Sequence, residues 1–148
     1  MNPVDVGAHT KEQSLFNIAL LSTTAGTTNG TARDISGSNG RGLIIFACSA
    51  LGAGNTSDCD IQEADDSSFT ANVAVVNTYA VGGTTSTATV GVSAANTASY
   101  ITRSIELAGR RQFLRARVIT TGTTVTGQAH ASIITGGHNA LISGGPAF

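Results

Sequence analysis

Charged residues are scarce in this chain of 148 residues, where they make up 11% of the sequence. That is less than half of the usual share of about 25%. There is one lysine, and glutamate occurs three times. A helical bundle or coiled coil needs many such residues on its solvent-facing sides, so that class is excluded. The formal net charge of −1 argues against a nucleic-acid binder, which would present a basic surface.

Long apolar runs are also missing. No stretch approaches the 18 consecutive apolar residues typical of a membrane-spanning helix. The first 13 residues contain neither a basic nor an apolar region of the kind that secretory signals carry. We therefore expect a soluble protein without a classical export signal and without a membrane partner.

Glycine, alanine, threonine and serine together make up half of the chain. Between clusters of small polar residues lie short apolar runs, a pattern typical of all-β proteins. Long connections alternate with tight ones, which favours Greek-key crossings between two sheets. We predict an all-β, jelly-roll-like β-sandwich. Its predicted strands are 14–21, 42–51, 58–64, 69–76, 79–92, 100–107, 112–121 and 124–135, with 79–92 either a hairpin or a long loop.

The same pattern predicts the organisation of the chain. We expect an N-terminal arm at 1–13, a β-sandwich domain at 14–135 and an extended C-terminal tail at 136–148. The segment 22–41 is rich in turn formers, which predicts a long surface loop. Such a loop is uncommon in a compact domain unless it has a function, such as binding a neighbour. We also predict that the strands 112–121 and 124–135 form a hairpin.

Two cysteines are too few for a disulfide scaffold. If 42–51 and 58–64 form a hairpin centred between residues 53 and 54, Cys48 and Cys59 are a cross-strand pair. Their side chains would then lie about 4.5–5.5 Å apart. Two readings stay open: a pair of small, partly buried thiols, or a disulfide formed after release into an oxidising medium.

Signals of catalysis are absent. The sequence has no G-x-S-x-G, H-E-x-x-H, P-loop or C-x-x-C motif. None of His9, His130 and His138 has another histidine or a cysteine within four positions. His130 falls in an alternating strand, where we expect a surface or interface residue rather than a metal ligand. We predict no enzymatic activity, no cofactor and no metal site.

Acidic side chains are concentrated in one short segment, where five of the nine occur within nine residues. Oxygen-rich turns can hold Ca²⁺, but the spacing matches no EF-hand loop. We predict a solvated acidic edge, which would also discourage edge-to-edge pairing of sheets. The five residues are Asp58, Asp60, Glu63, Asp65 and Asp66.

Arginines are concentrated as well, with five of the eight cationic residues in fifteen positions. Strand alternation puts Arg115 and Arg117 on the face opposite Leu114, Ala116 and Val118. Two readings stay open. Either the arginine stems cover apolar surface, or the guanidinium groups pair with the acidic cluster, within one subunit or across a boundary. Nucleic acid is disfavoured because no aromatic residues interleave to stack bases. We predict that both clusters belong to an interface with another subunit, the basic one comprising Arg103, Arg110, Arg111, Arg115 and Arg117.

Two motifs and their order resemble a widespread family of small tailed-phage virion proteins. The segment 61–66, Ile-Gln-Glu-Ala-Asp-Asp, is similar to an "L-x-E-S-D-D" turn, with Ala64 in place of serine. The segment 109–115, Gly-Arg-Arg-Gln-Phe-Leu-Arg, is similar to "G-x-K/R-R-Y-x-R-x", with one residue inserted before the aromatic. The resemblance covers roughly 14–135. The loops 22–41 and 77–99 are not part of the pattern.

This resemblance implies a capsid decoration (cement) protein of a bacteriophage. It implies a homotrimer that is made in the host cytoplasm, binds the major capsid protein and lies on the outer surface of the virion. Two alternatives stay open. A receptor- or glycan-binding module of a tail or head fibre would use aromatic platforms, yet the chain has no tryptophan and two tyrosines. A head–tail connector component would form sixfold or twelvefold rings.

Overall fold

The computed structural model describes residues 11–20, 26–38, 40–93, 98–123, 125 and 127–135; for 11–20, 92 and 93 it describes the backbone. Twelve strands run through these residues. They are Lys11–Leu20 (β1), Gly26–Asn29 (β2), Arg33–Asp34 (β3), Arg41–Cys48 (β4), Thr56–Ala64 (β5), Ala74–Val76 (β6), Thr78–Ala80 (β7), Ser86–Thr87 (β8), Thr89–Ser93 (β9), Ser99–Glu106 (β10), Phe113–Thr121 (β11) and Gln128–Thr135 (β12). Nowhere in the described ranges is there a helix long and apolar enough to cross a membrane.

The described strands form two antiparallel sheets. The first has the order β1-β12-β4-β10-β7-β8, and the second has the order β2-β11-β5-β6. Strand β3 also pairs with β11, and β9 also pairs with β5. The pairs are nested, since β1 joins β12, β2 joins β11, β4 joins β10 and β5 joins β6. One long hairpin rolled into two sheets is the arrangement of a jelly roll, so the predicted all-β, jelly-roll-like sandwich is confirmed.

The core lies between the two sheets and follows the period-2 alternation of the strands. In β4, Ile44 and Phe46 point inward. In β11, Leu114, Ala116 and Val118 point inward together, which confirms the alternation predicted for that strand. Burying a large apolar side chain contributes about 1.5–3 kcal/mol. The other face of β11 therefore carries its arginines on the outside of the second sheet.

Both hairpins predicted from sequence neighbourhood are wrong. Strands β4 and β5 belong to different sheets, and so do β11 and β12. In each case a short connection carries the chain across the sandwich. The physical reason is that each strand has one apolar face, and crossing over lets two successive strands bury those faces against each other.

The predicted boundaries also need correction. Strand β1 begins at Lys11, so residues 11–13 of the predicted arm pair with β12. The predicted loop 22–41 contains β2 and β3, which pair with β11. The predicted strand 69–76 shrinks to β6, because the residues before it form a turn. The segments 1–10 and 136–148 lie outside the described residues.

Candidate interaction surface

The outward side of the second sheet carries the cluster that sequence reasoning singled out. We call it the arginine face and define it by Asp60, Gln62, Phe69, Arg115 and Arg117. Strands β5 and β11 are neighbours in antiparallel register. Arg117 lies directly opposite Asp60, and Arg115 lies directly opposite Gln62. Directly opposed side chains share one face of a sheet, so these pairs contact each other.

Arg117 and Asp60 form a two-pronged ion pair. The Nε of Arg117 donates to Asp60 Oδ1 at 3.0 Å and to Oδ2 at 3.1 Å. Its Nη2 also donates to Oδ2. The side chain of Asp60 is 1% exposed and that of Arg117 is 27% exposed. The arginine thus covers the carboxylate and satisfies its charge within one chain.

Arg115 has a different environment. Its Nε donates to Gln62 Oε1 at 2.9 Å, and its guanidinium carbon lies 4.1 Å from the centroid of the Phe69 ring. That distance is within the range of a cation–π contact. Burial, and then the charge of Arg117, lower the pKa of Arg115. The nearby Asp60 carboxylate acts in the opposite direction. The direct contacts of Arg115 therefore hold the guanidinium in place but include no ion pair.

Phe69 is presented by a tight turn at the end of β5. Asp66 holds this turn, because its Oδ1 accepts from the Ser68 amide at 2.8 Å and its Oδ2 accepts from the amides of Thr70 and Ala71 at 3.0 and 2.6 Å. These bonds, that from Ala71 foremost, lower the pKa of Asp66. Phe69 adopts φ = 55°, a left-handed conformation that is rare for a bulky residue.

Glu63, Asp65, Arg110 and Arg111 meet at one end of the same sheet. Arg111 Nη1 donates to Asp65 Oδ1 at 2.8 Å, and its backbone amide donates to Glu63 Oε2 at 3.2 Å. Arg110 Nη1 lies 3.6 Å from Glu63 Oε2. Hydrogen bonds from Asn72 and then Arg111 lower the pKa of Asp65, and Asp65 in turn raises the pKa of Arg111. Beside these pairs lies a cleft of about 390 Å³ between the turns 35–38 and 107–112.

Arg103 does not join the acidic cluster. It lies on β10 of the first sheet, where its Nη2 donates to Thr78 O and to Thr87 Oγ1, both at 2.8 Å. Its Nε donates to Thr78 Oγ1 at 3.2 Å. The structure therefore places the five predicted arginines in three locations. Arg103 lies on the first sheet, Arg110 and Arg111 lie at one end of the second sheet, and Arg115 and Arg117 lie on the arginine face.

The predicted solvated acidic edge is wrong. Strand β5 lies inside its sheet, between β11 and β6, and Asp60 is buried beneath Arg117. Asp66 is used by the turn, and half-buried Asp58 lies opposite Ile119. Within the described part of the chain, no three His, Cys, Asp or Glu side chains form a group that could hold a metal ion.

The predicted cross-strand pairing of the cysteines is also wrong. Cys48 pairs with Ser99 and Ala129 in the first sheet, whereas Cys59 pairs with Val118 and Val90 in the second. Both side chains point into the core and are not joined by a disulfide. Burial, and then Cys48, raise the pKa of the Cys59 thiol. The two cysteines are therefore buried thiols that belong to different sheets, because the connection between β4 and β5 crosses from one sheet to the other.

Sequence reasoning missed two members of the arginine face, Gln62 and Phe69. Gln62 follows Asp60 at the strand period of two, so its place on the same face was readable from the alternation. The position of Phe69 depends on the turn that Asp66 holds and was not readable from the sequence.

His130 is half-buried on β12, and its Nδ1 is buried with no hydrogen-bond partner; its predicted interface role stays a prediction. His9 and His138 lie outside the described residues.

No protein-family model and no curated protein sequence matches the chain. The SPBc2 prophage-derived protein YomS has a similar structure, with a TM-score of 0.51 and 12% identity over 85% of this chain and 91% of that one. The VP2 subviral particle of infectious bursal disease virus gives 0.53 and 10% over 88% and 33%. The T13 particle of that virus gives 0.54 and 10% over 88% and 31%.

This chain thus spans about a third of the length of the two viral chains and most of YomS. At such identities the likeness shows a shared fold. A jelly roll by itself supports many functions, so the function has to be argued from the surface and tested.

Proposed function

We propose that the protein is a structural component of a phage virion, specifically a capsid decoration (cement) protein. In this role it binds the major capsid protein on the outside of the head and stabilises the head by bridging neighbouring subunits. The observation that carries the proposal is the nested jelly-roll topology. A prophage-derived protein has this fold along nearly its whole length, and chains from viral particles contain it. The sequence resemblance to small tailed-phage virion proteins supports the same role.

The physical character of the molecule fits this role. A bridging protein needs a stiff body and polar surfaces that meet other chains, and it needs no catalytic pocket. Here two packed sheets form the body, and the second sheet displays a fixed array of charged side chains. We propose a homotrimer, because closed symmetry multiplies modest contacts into firm attachment. We also propose that the protein has no enzymatic activity. We propose neither nucleic acid nor membrane as a partner.

Binding to undecorated phage heads tests the proposal. Purified protein is mixed with such heads and followed by co-sedimentation, while light scattering gives the mass of the free oligomer. Heads already saturated with a decoration protein are the matched control. We expect saturable binding by a trimer to the undecorated heads alone, and heads that survive more heat. A protein that does not bind heads would overturn the proposal.

A second candidate is a glycan- or receptor-binding module. Tyr100 is 65% exposed on the outer face of β10, and exposed tyrosines combine an apolar ring with a polar tip. This candidate would be supported if the protein did not bind heads but bound host cells or glycans, and if Tyr100→Ala abolished that binding. Rings of six or twelve copies would instead indicate a head–tail connector component.

A further inference from the structure

Arg115 makes fewer hydrogen bonds and ion pairs than any other clustered arginine of the described residues. Arg117 is paired with Asp60, and Arg110 and Arg111 are paired with Glu63 and Asp65. Arg103 donates three hydrogen bonds to two threonines. Among the contacts of the described residues, Arg115 makes one hydrogen bond, from Nε to the neutral Gln62. Its Nη1 and Nη2 groups therefore keep a donor fork that no described residue occupies, while the nearby Asp60 carboxylate acts on its charge from a distance.

This open donor fork is held in place by Phe69. The guanidinium stacks on Phe69 at 4.1 Å, and Phe69 keeps its left-handed backbone because Asp66 fastens the turn with three backbone hydrogen bonds. Backbone strain of this kind clusters at functional sites, where it can be part of preorganisation. The structure thus maintains a strained turn whose ring fixes one arginine.

Apolar surface lies beside the same arginine. Val75 is directly opposite Gln62 in the pairing of β6 with β5, so Arg115, Gln62 and Val75 form one row across the sheet. Val75 and Val73 are each 41% exposed, and both are among the large hydrophobic residues that the described part of the chain leaves open to solvent. Arginine is one of the residues enriched at interface hot spots, and surrounding contacts that exclude water strengthen such a residue's interactions.

We propose that Arg115 is the anchor of a docking surface, and that its two Nη groups grip a carboxylate presented by a capsid subunit. This inference rests on the proposed function for the identity of the partner. The chemistry is set by charge complementarity: a planar fork with two donors matches a carboxylate. Val73 and Val75 cover an apolar group next to that carboxylate and exclude water from the pair.

Binding to undecorated heads with matched variants tests the anchor. Arg115→Gln should raise the dissociation constant about tenfold or more, as removal of an interface hot spot does. Arg41→Gln is the control, because Arg41 is 75% exposed and lies on the first sheet; it should leave binding unchanged. Equal binding by the wild type and Arg115→Gln would overturn the inference, while the unfolding midpoint checks that the variant is folded.

A second pair of variants avoids any loss of packing on Phe69. Val75→Glu places a carboxylate in the same row as Arg115, where it should occupy the fork and block docking. Val81→Glu is the matched control, since Val81 is likewise exposed but lies on the β7–β8 connection. Undiminished binding by Val75→Glu would contradict the proposal.

A peptide titration separates this inference from the proposed function. The probe is an acetylated, amidated Leu-Glu-Leu peptide, with Leu-Gln-Leu as the control, followed by NMR of the full protein. We expect shifts at Arg115 Nε–H, Val73 and Val75 with the glutamate peptide and none with the glutamine peptide. If the protein does not bind heads but shows these shifts, the proposed capsid role is wrong and the proposed carboxylate anchor is supported. Identical chemical-shift changes with both peptides would contradict the proposal that Arg115 binds a carboxylate.

Discussion

Asp60 and Arg117 lie directly opposite each other on β5 and β11, on the outward face of a sheet, yet the carboxylate is 1% exposed. The arginine shields it from water and donates to both of its oxygens. A buried charge of this kind is tolerated because its partner is in place. The pair therefore joins the two middle strands of the second sheet and neutralises the centre of the arginine face.

Removal of Arg117 should be costly. Arg117→Met leaves the buried carboxylate of Asp60 unpaired, and we expect a loss of about 3 kcal/mol in the free energy of unfolding. Arg41→Met breaks the exposed pair with Glu106 and should cost less than about 1 kcal/mol. The double variant Asp60→Leu with Arg117→Met should recover most of the loss. Urea unfolding measures all four proteins, and similar losses for Arg117→Met and Arg41→Met would contradict the prediction.

The turn at Asp66 should make stability depend on acid pH. Its hydrogen bonds lower the pKa of Asp66 below the ordinary 3.8. A group whose pKa is lowered by folding stabilises the protein above its unfolded pKa, and the contribution is lost as the pH falls through the folded value. Asp66→Asn removes this effect. Urea midpoints of wild type and variant should therefore differ near neutral pH and converge as the pH falls below 3.8. A gap that stays constant with pH would refute this.

Gly122 should be far more sensitive to substitution than Gly91. Gly122 has φ = +130°, and a Cβ there would lie 1.7 Å from Asn55 Oδ1. Asn55 cannot easily move, since it is buried and its Nδ2 donates to Leu51 O at 2.9 Å. Gly122→Ala should cost about 1–3 kcal/mol through overpacking. At Gly91 a Cβ would meet Asp58 Oδ1 at 3.5 Å, an ordinary contact, so Gly91→Ala should leave the unfolding midpoint nearly unchanged.

Both cysteines should be inert in the folded protein. Both are buried and therefore shielded from a reagent. Burial also raises the pKa of Cys59, which disfavours its reactive thiolate. A disulfide reagent such as Ellman's at pH 8 should label neither thiol until denaturant unfolds the chain. Ser86→Cys on exposed β8 provides the positive control. Rapid labelling of a native thiol in the wild-type protein would show that one of them opens to solvent.

Local patterns in the sequence predicted much of this protein. The period-2 alternation of β11 put Leu114, Ala116 and Val118 on one face and Arg115 and Arg117 on the other, and the structure has them so. The scarcity of charged residues excluded a helical bundle. These predictions succeed because burial of alternate side chains is a property of each strand by itself.

Tertiary structure decided which strands became neighbours. Cys48 and Cys59 are separated by eleven positions but lie in different sheets, whereas Asp60 and Arg117, which are 57 positions apart, are in contact. No local pattern encodes that choice, because it depends on how the whole chain closes its apolar faces over one core. The same closure, together with the turn at Asp66, gave three of the clustered arginines acidic partners within the chain and left Arg115 stacked on Phe69 with its Nη groups open to a partner.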